Sequence, residues 1–164
     1  MKGGIALFNI HIPRYERIWL AVGTITLVIF LALFGFLAVS TGLNPPGHMK
    51  TIDPNAVFST APFQHPGVQQ IGPNEYNVTL ISSVFMFQPD TINIPAGAKI
   101  HFQVTSPDVV HGILIPRTNV NMMVLPGHIT EYTYTFKEPG AYLLLCNEYC
   151  GTGHHYMMGI LNVQ

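Results

Sequence analysis

Residues 18–39 run for 22 positions without a charge, and 18 of them are apolar. Nothing else in the chain restricts its fold so tightly. A single segment crossing hydrocarbon must satisfy its own backbone hydrogen bonds, which only a helix does. At about 1.5 Å per residue, 22 residues reach roughly 33 Å, enough to cross a core of about 30 Å. The competing reading is a cleaved signal peptide, with Ala38-Val39-Ser40 as its cleavage site. Signal-peptide apolar cores run only about 7–15 residues, however, and a leader of 17 residues is long for one. The expectation is a retained transmembrane helix over 18–40, preceded by a short segment, 1–17.

Charge sets the direction. Lys2, Arg14 and Arg17 stand before the helix against Glu16 alone. Positive flanks stay in the cytoplasm, so the rest of the chain is expected on the periplasmic or outer side of the cell membrane. Trp19 falls where an interfacial aromatic would anchor the helix in lipid. Charged residues are 9% of the chain, with seven Lys and Arg against eight Asp and Glu. That excludes a nucleic-acid binder, a coiled coil and a disordered chain.

Residues 41–67 carry Pro45, Pro46, Pro54, Pro62 and Pro66 with Gly42, Gly47 and Gly67. Proline at this density opposes ladders and helices, which predicts an extended linker or a loop lying on a partner. From residue 68 onward the apolar period is two. Ile100, Phe102 and Val104 alternate with polar neighbours, as do Tyr132, Tyr134 and Phe136. Turn signals such as Pro95-Ala96-Gly97 and Glu138-Pro139-Gly140 recur at short intervals. Short strands with such punctuation predict one all-β sandwich or barrel over 68–164.

Both cysteines fall in one run, Cys146-Asn147-Glu148-Tyr149-Cys150, followed by His154, His155 and Met157. A disulfide is one reading in an oxidising compartment, though it would close a very short loop and leave the His and Met unexplained. Structural zinc and a Cys nucleophile are two more. Thiolate and thioether with imidazole is the ligand mixture of electron-transfer copper, which the spacing favours. A blue copper site needs one Cys, so the second is extra, and two thiolates can bridge two ions.

The pattern Cys-x-Glu-x-Cys-x3-His-x2-Met, from Cys146 to Met157, resembles the binuclear CuA motif of cytochrome c oxidase subunit II. Ser106-Pro107-Asp108-Val109-Val110-His111 resembles the family segment that brings a remote His ligand. The resemblance implies that Cys146 and Cys150 bridge two coppers and that His111 and His154 each bind one. Met157 and the Glu148 carbonyl would complete the set. One helix and a short chain are similar to the B-type haem–copper oxidases. The implied fold is all-β, a cupredoxin-like Greek-key barrel with one N-terminal transmembrane helix.

The same resemblance bears on other residues. Phe85 and Phe87 look like the aromatic segment over the copper site, candidates for electron entry in a chain whose only Trp is Trp19. In the longer-chain class the glutamate at the Glu148 position holds magnesium at the subunit I interface, which makes Glu148 a candidate magnesium ligand. Tyr15-Glu16-Arg17-Ile18-Trp19 resembles the B-type segment at the mouth of a proton-uptake channel, so Glu16 is a candidate for proton entry. An acid in the first turn is also favoured by the helix dipole alone. His101 is expected to be a solvated strand residue. The Met122-Met123 pair is expected either to pack or to form an apolar docking patch.

The implied function is electron input to a terminal haem–copper oxidase, with cytochrome c as donor and haem in subunit I as acceptor. Haem would belong only to the partner, which would include subunit I and, in that class, a small single-helix subunit. The alternative is an exported, membrane-anchored copper carrier or chaperone, which also uses paired Cys with His.

Overall fold

The computed structural model describes residues 13–41 and 46–164, apart from the side chains of His48 and Met49. Lys2, His11, Gly42 and Pro45, and with them most of the segment 1–17, lie outside the described residues. The chain forms two compact units, Met1–Leu43 and Asn44–Gln164.

The first unit contains one helix, α1 (Arg14–Thr41). It is longer than the apolar run because Pro13 opens it: the Arg17 N–H donates to the Pro13 carbonyl at 3.1 Å, so the turn holding Glu16 is already helical. Proline suits a helix start, where its missing N–H has no intrahelical role. With a mean hydropathy of 2.6 over an 18-residue window and no buried residue, α1 is long and apolar enough to cross a membrane.

The second unit is all β, with two short 3₁₀ turns. Its strands are β1 (Gly47–Thr51), β2 (Gly67–Gly72), β3 (Glu75–Ser83), β4 (Met86–Gln88), β5 (Thr91–Ile94) and β6 (Lys99–Thr105). There follow β7 (His111–Leu114), β8 (Asn121–Val124), β9 (His128–Thr135), β10 (Gly140–Leu145) and β11 (Met158–Val163). One sheet runs β1-β9-β6-β3-β2, with β4 added on β3; the other runs β5-β11-β10-β7-β8. Most pairs are antiparallel, but β3–β6 and β5–β11 are parallel.

The period-two segments face the core as predicted. Val78 and Leu80 of β3, Ile100, Phe102 and Val104 of β6, and Tyr132 of β9 meet Ile92, Met122, Leu144 and Leu161 of the other sheet. Fully burying one such side chain contributes about 1.5–3 kcal/mol, so this cluster holds the sheets together. Phe136 joins three aromatic neighbours edge-on: Phe102, Tyr134 and Tyr142.

The expectation of a linker over 41–67 is corrected. Residues 47–51 are a strand paired with β9, and Lys50 reaches Glu131 at 2.7 Å. A 3₁₀ turn, Pro54–Ser59, follows, opened by Asp53, whose side chain accepts the Asn55 N–H. Ile52, Val57 and Phe63 pack with Ile81 of β3 in a second, smaller core. The prolines punctuate this segment without keeping it off the barrel, because an edge strand and a 3₁₀ turn tolerate missing N–H donors.

Candidate metal centre

The centre lies where three neighbouring strands of the second sheet end or begin. Cys146 directly follows β10, Met157 directly precedes β11, and His111 opens β7. The run from Cys146 to Met157 is therefore the connection between two antiparallel neighbours. It is pinned at its mouth by the Cys146 N–H to the Met157 carbonyl, 3.3 Å, and inside by a 3₁₀ turn, His154–Tyr156. Glycine at 151 carries φ +133°, a conformation that other residues rarely adopt.

Six donor atoms converge. The sulfurs of Cys146 and Cys150 are 3.9 Å apart. Around Cys146 Sγ stand His111 Nδ1 at 3.9 Å and the Glu148 carbonyl oxygen at 3.3 Å. Around Cys150 Sγ stand His154 Nδ1 at 3.5 Å and Met157 Sδ at 3.7 Å. Both thiols are free, and their separation is far beyond a bond of about 2.05 Å, so the disulfide reading falls. Atoms bound to one ion at about 2.0–2.3 Å with tetrahedral angles sit about 3.3–3.8 Å from each other, close to the 3.3 to 3.9 Å found here. The residues fit a metal, and the soft donors fit copper.

Burial is uneven. His111, Cys146, Cys150 and Met157 are buried, whereas His154 is half-buried, with the exposed Tyr149 ring 5.9 Å from its own. Burial, then the Cys146 thiol beside it, pushes the Cys150 pKa up to about 11. A cation bound beside it would favour the Cys150 thiolate.

Asp108 was not among the residues singled out from the sequence. Its Oδ1 accepts from His111 Nε2 at 2.9 Å and from the Val109 N–H at 2.6 Å. Its Oδ2 accepts the Val84 N–H at 2.8 Å, and the Ser106 hydroxyl lies 3.0 Å from Oδ1. Desolvation pulls the Asp108 pKa upward, but the hydrogen bonds from His111, Val84, Val109 and Ser106 together hold it below the ordinary carboxylate value. The sequence signal was present in Ser106-Pro107-Asp108, which also reads as an ordinary turn.

The aromatic candidates separate. Phe85, 37% exposed, lies against the ligand loop. A Cβ built on Gly153 would come 2.5 Å from its ring, and one on Gly151 2.9 Å. Phe87 points inward from β4 and is 2% exposed, a core residue. A docked donor would therefore not touch Phe87 directly. Of the Met122-Met123 pair on β8, Met122 packs into the core and Met123 is exposed. His101 points outward as expected, but it is held by Thr133 Oγ1 at 3.0 Å and faces Glu75 at 3.8 Å. Among the described residues, the one group of three or more His, Cys, Asp and Glu able to hold a metal is His111, Cys146 and Cys150. The Glu148 carboxylate is not part of that group.

Known proteins place this geometry. Residues 76–163 match the family model described as cytochrome c oxidase subunit II, periplasmic domain. A cytochrome c oxidase subunit 2 of Thermus thermophilus is 44% identical over 157 residues, covering 93% of this chain and 94% of that one. A second from Thermus thermophilus is 43% identical over 127 residues, covering 76% and 94%. A chain of a haem–copper terminal oxidase dimer, solved by cryo-electron microscopy, superposes with a TM-score of 0.76 at 29% identity, covering 92% of this chain and all (100%) of that chain. The periplasmic domain of subunit II of cytochrome oxidase from Bradyrhizobium japonicum superposes with a TM-score of 0.50 at 20% identity, covering 54% and 83%, a likeness of fold. With a matching family model, near full-length relatives above 40% identity and a cupredoxin-like barrel carrying convergent soft ligands, this chain belongs to the cytochrome c oxidase subunit II family.

Proposed function

We propose that this chain is the electron-input subunit of a haem–copper oxidase. It would take electrons from a cytochrome c at a binuclear copper centre and deliver them to haem in subunit I, the partner its family implies. The observation that carries this reading is the division of six donors about one sulfur pair. A single tetrahedral ion uses four ligands, whereas here each sulfur has its own imidazole and its own weak donor. A copper pair bound there would supply one-electron storage shared over both ions.

The residues have separable roles in this reading. Cys146 and Cys150 hold both ions, and His111 and His154 each hold one. Met157 and the Glu148 carbonyl are weak donors that tune the potential. The barrel fixes all of them before an electron arrives, which keeps rearrangement small. Phe85, exposed over the ligand loop, is the contact for the donor. A buried centre built from three strands also speaks against a copper carrier, which must release its ion readily.

The helix α1 anchors the chain in the membrane. With Arg14 and Arg17 at its start, the N-terminus would face the cytoplasm and the barrel the outer side. Glu16, exposed in the first turn, would then stand on the cytoplasmic face, where a carboxylate can collect protons for subunit I. The test uses the assembled oxidase carrying Cys150→Ser. Reduction of haem by cytochrome c should be lost or strongly slowed, while a small-molecule reductant still reduces that haem directly. Unchanged electron entry from cytochrome c would overturn the reading.

A further inference from the structure

One carboxylate joins two parts of the centre that come from different strands. Asp108 Oδ1 faces the ring of His111, which is fully buried, so its N–H must find its partner inside the protein. Asp108 Oδ2 faces the backbone N–H of Val84, the residue that leads into Phe85. The Phe85 ring in turn lies on Gly151 and Gly153 of the ligand loop. The contacts to Ser106 and Val109 belong to a local turn, but those to His111 and Val84 lie outside it.

We propose that Asp108 is the positioning residue of the metal centre, setting the tautomer of His111 with one oxygen and tethering the Phe85 segment over the ligand loop with the other. This rests on the reading of His111 as a metal ligand. A neutral imidazole carries one N–H. With that proton on Nε2 and donated to Asp108, the Nδ1 lone pair is left facing Cys146 Sγ, 3.9 Å away. Metal-bound imidazoles commonly give their other N–H to a carboxylate, which orients the ring and raises its basicity. What is particular here is the second oxygen. A carboxylate accepts on both sides, whereas an asparagine offers one oxygen and one NH₂. Asp108→Asn must therefore set a donor against either the His111 Nε2–H or the Val84 N–H, and lose one of the two contacts.

The test uses the full-length chain in detergent micelles, with three readouts. In the metal-free wild type, ring nitrogen and carbon shifts of His111 should report the Nε2–H tautomer. An Nδ1–H tautomer would overturn the first half of the proposal. Amide exchange at Val84 should be at least about tenfold faster in Asp108→Ala than in wild type. Equal protection would overturn the tether. After copper loading, Asp108→Asn should lose copper to a chelator about 10–100-fold more readily than wild type. A variant that loads normally and resists the chelator as wild type does would overturn the proposal while leaving the copper reading standing. A wild-type chain that takes up no copper would defeat that reading first. Should Asp108→Ala fail to fold, the wild-type tautomer and the isosteric Asn variant still decide the outcome.

Discussion

Gly153 has no room for a side chain. A Cβ there would lie 2.5 Å from Cδ2 of Phe85 and 2.6 Å from its Cγ, closer than real contacts allow. The glycine is what lets an aromatic ring rest on the ligand loop. Since Phe85 is 37% exposed, the ring has somewhere to go, and Gly153→Ala should push it outward rather than abolish folding. The expected loss is about 1–3 kcal/mol, the usual cost of overpacking, read from denaturant midpoints of the metal-free chain. Removing the ring as well, in the Gly153→Ala, Phe85→Ala pair, should recover part of that loss. Purely additive effects would show that the two residues do not press on each other.

At the scale of elements, the segment before β2 is part of the barrel. Phe63 is 1% exposed and packs with Val57, Ile52 and Ile81. Phe63→Ala should cost about 3–5 kcal/mol in the unfolding of the full-length chain, as for other large-to-small core changes. A linker residue would cost almost nothing, so an unchanged midpoint would contradict this packing. The sequence hid the segment for a physical reason. The stretch Gly47-His48-Met49-Lys50-Thr51 has no apolar alternation, and its pairing depends on the free edge of β9, a non-local fact. Ile100, Phe102 and Val104 were legible because a half-buried strand writes its period into neighbouring residues. The ligand loop was legible because Cys146, Cys150, His154 and Met157 lie within one turn-to-strand connection. His111 could be found only through resemblance, and Asp108 and the inward turn of Phe87 required the fold itself.

For the whole molecule, charge is sparse around the centre. After Ser40 there are four Lys and Arg against seven Asp and Glu. Apolar and aromatic side chains near the ligand loop stand exposed: Val109, Val110, Met123, Tyr149 and Tyr156. Strong electrostatic steering falls steeply with ionic strength, and so small an acidic excess gives little field. The rate of electron entry from cytochrome c should therefore change less than about threefold between low and physiological salt. A fall of tenfold or more would reveal a charged docking patch.

If both thiolates share two coppers, electron paramagnetic resonance of the copper-loaded, full-length chain will show it. A purple protein with two coppers per chain is expected. Its hyperfine pattern should be that of one unpaired electron spread equally over two equivalent copper nuclei, lost when Cys150 is replaced by Ser. One copper per chain with the hyperfine pattern of a single nucleus, or a spectrum unaltered in Cys150→Ser, would contradict it.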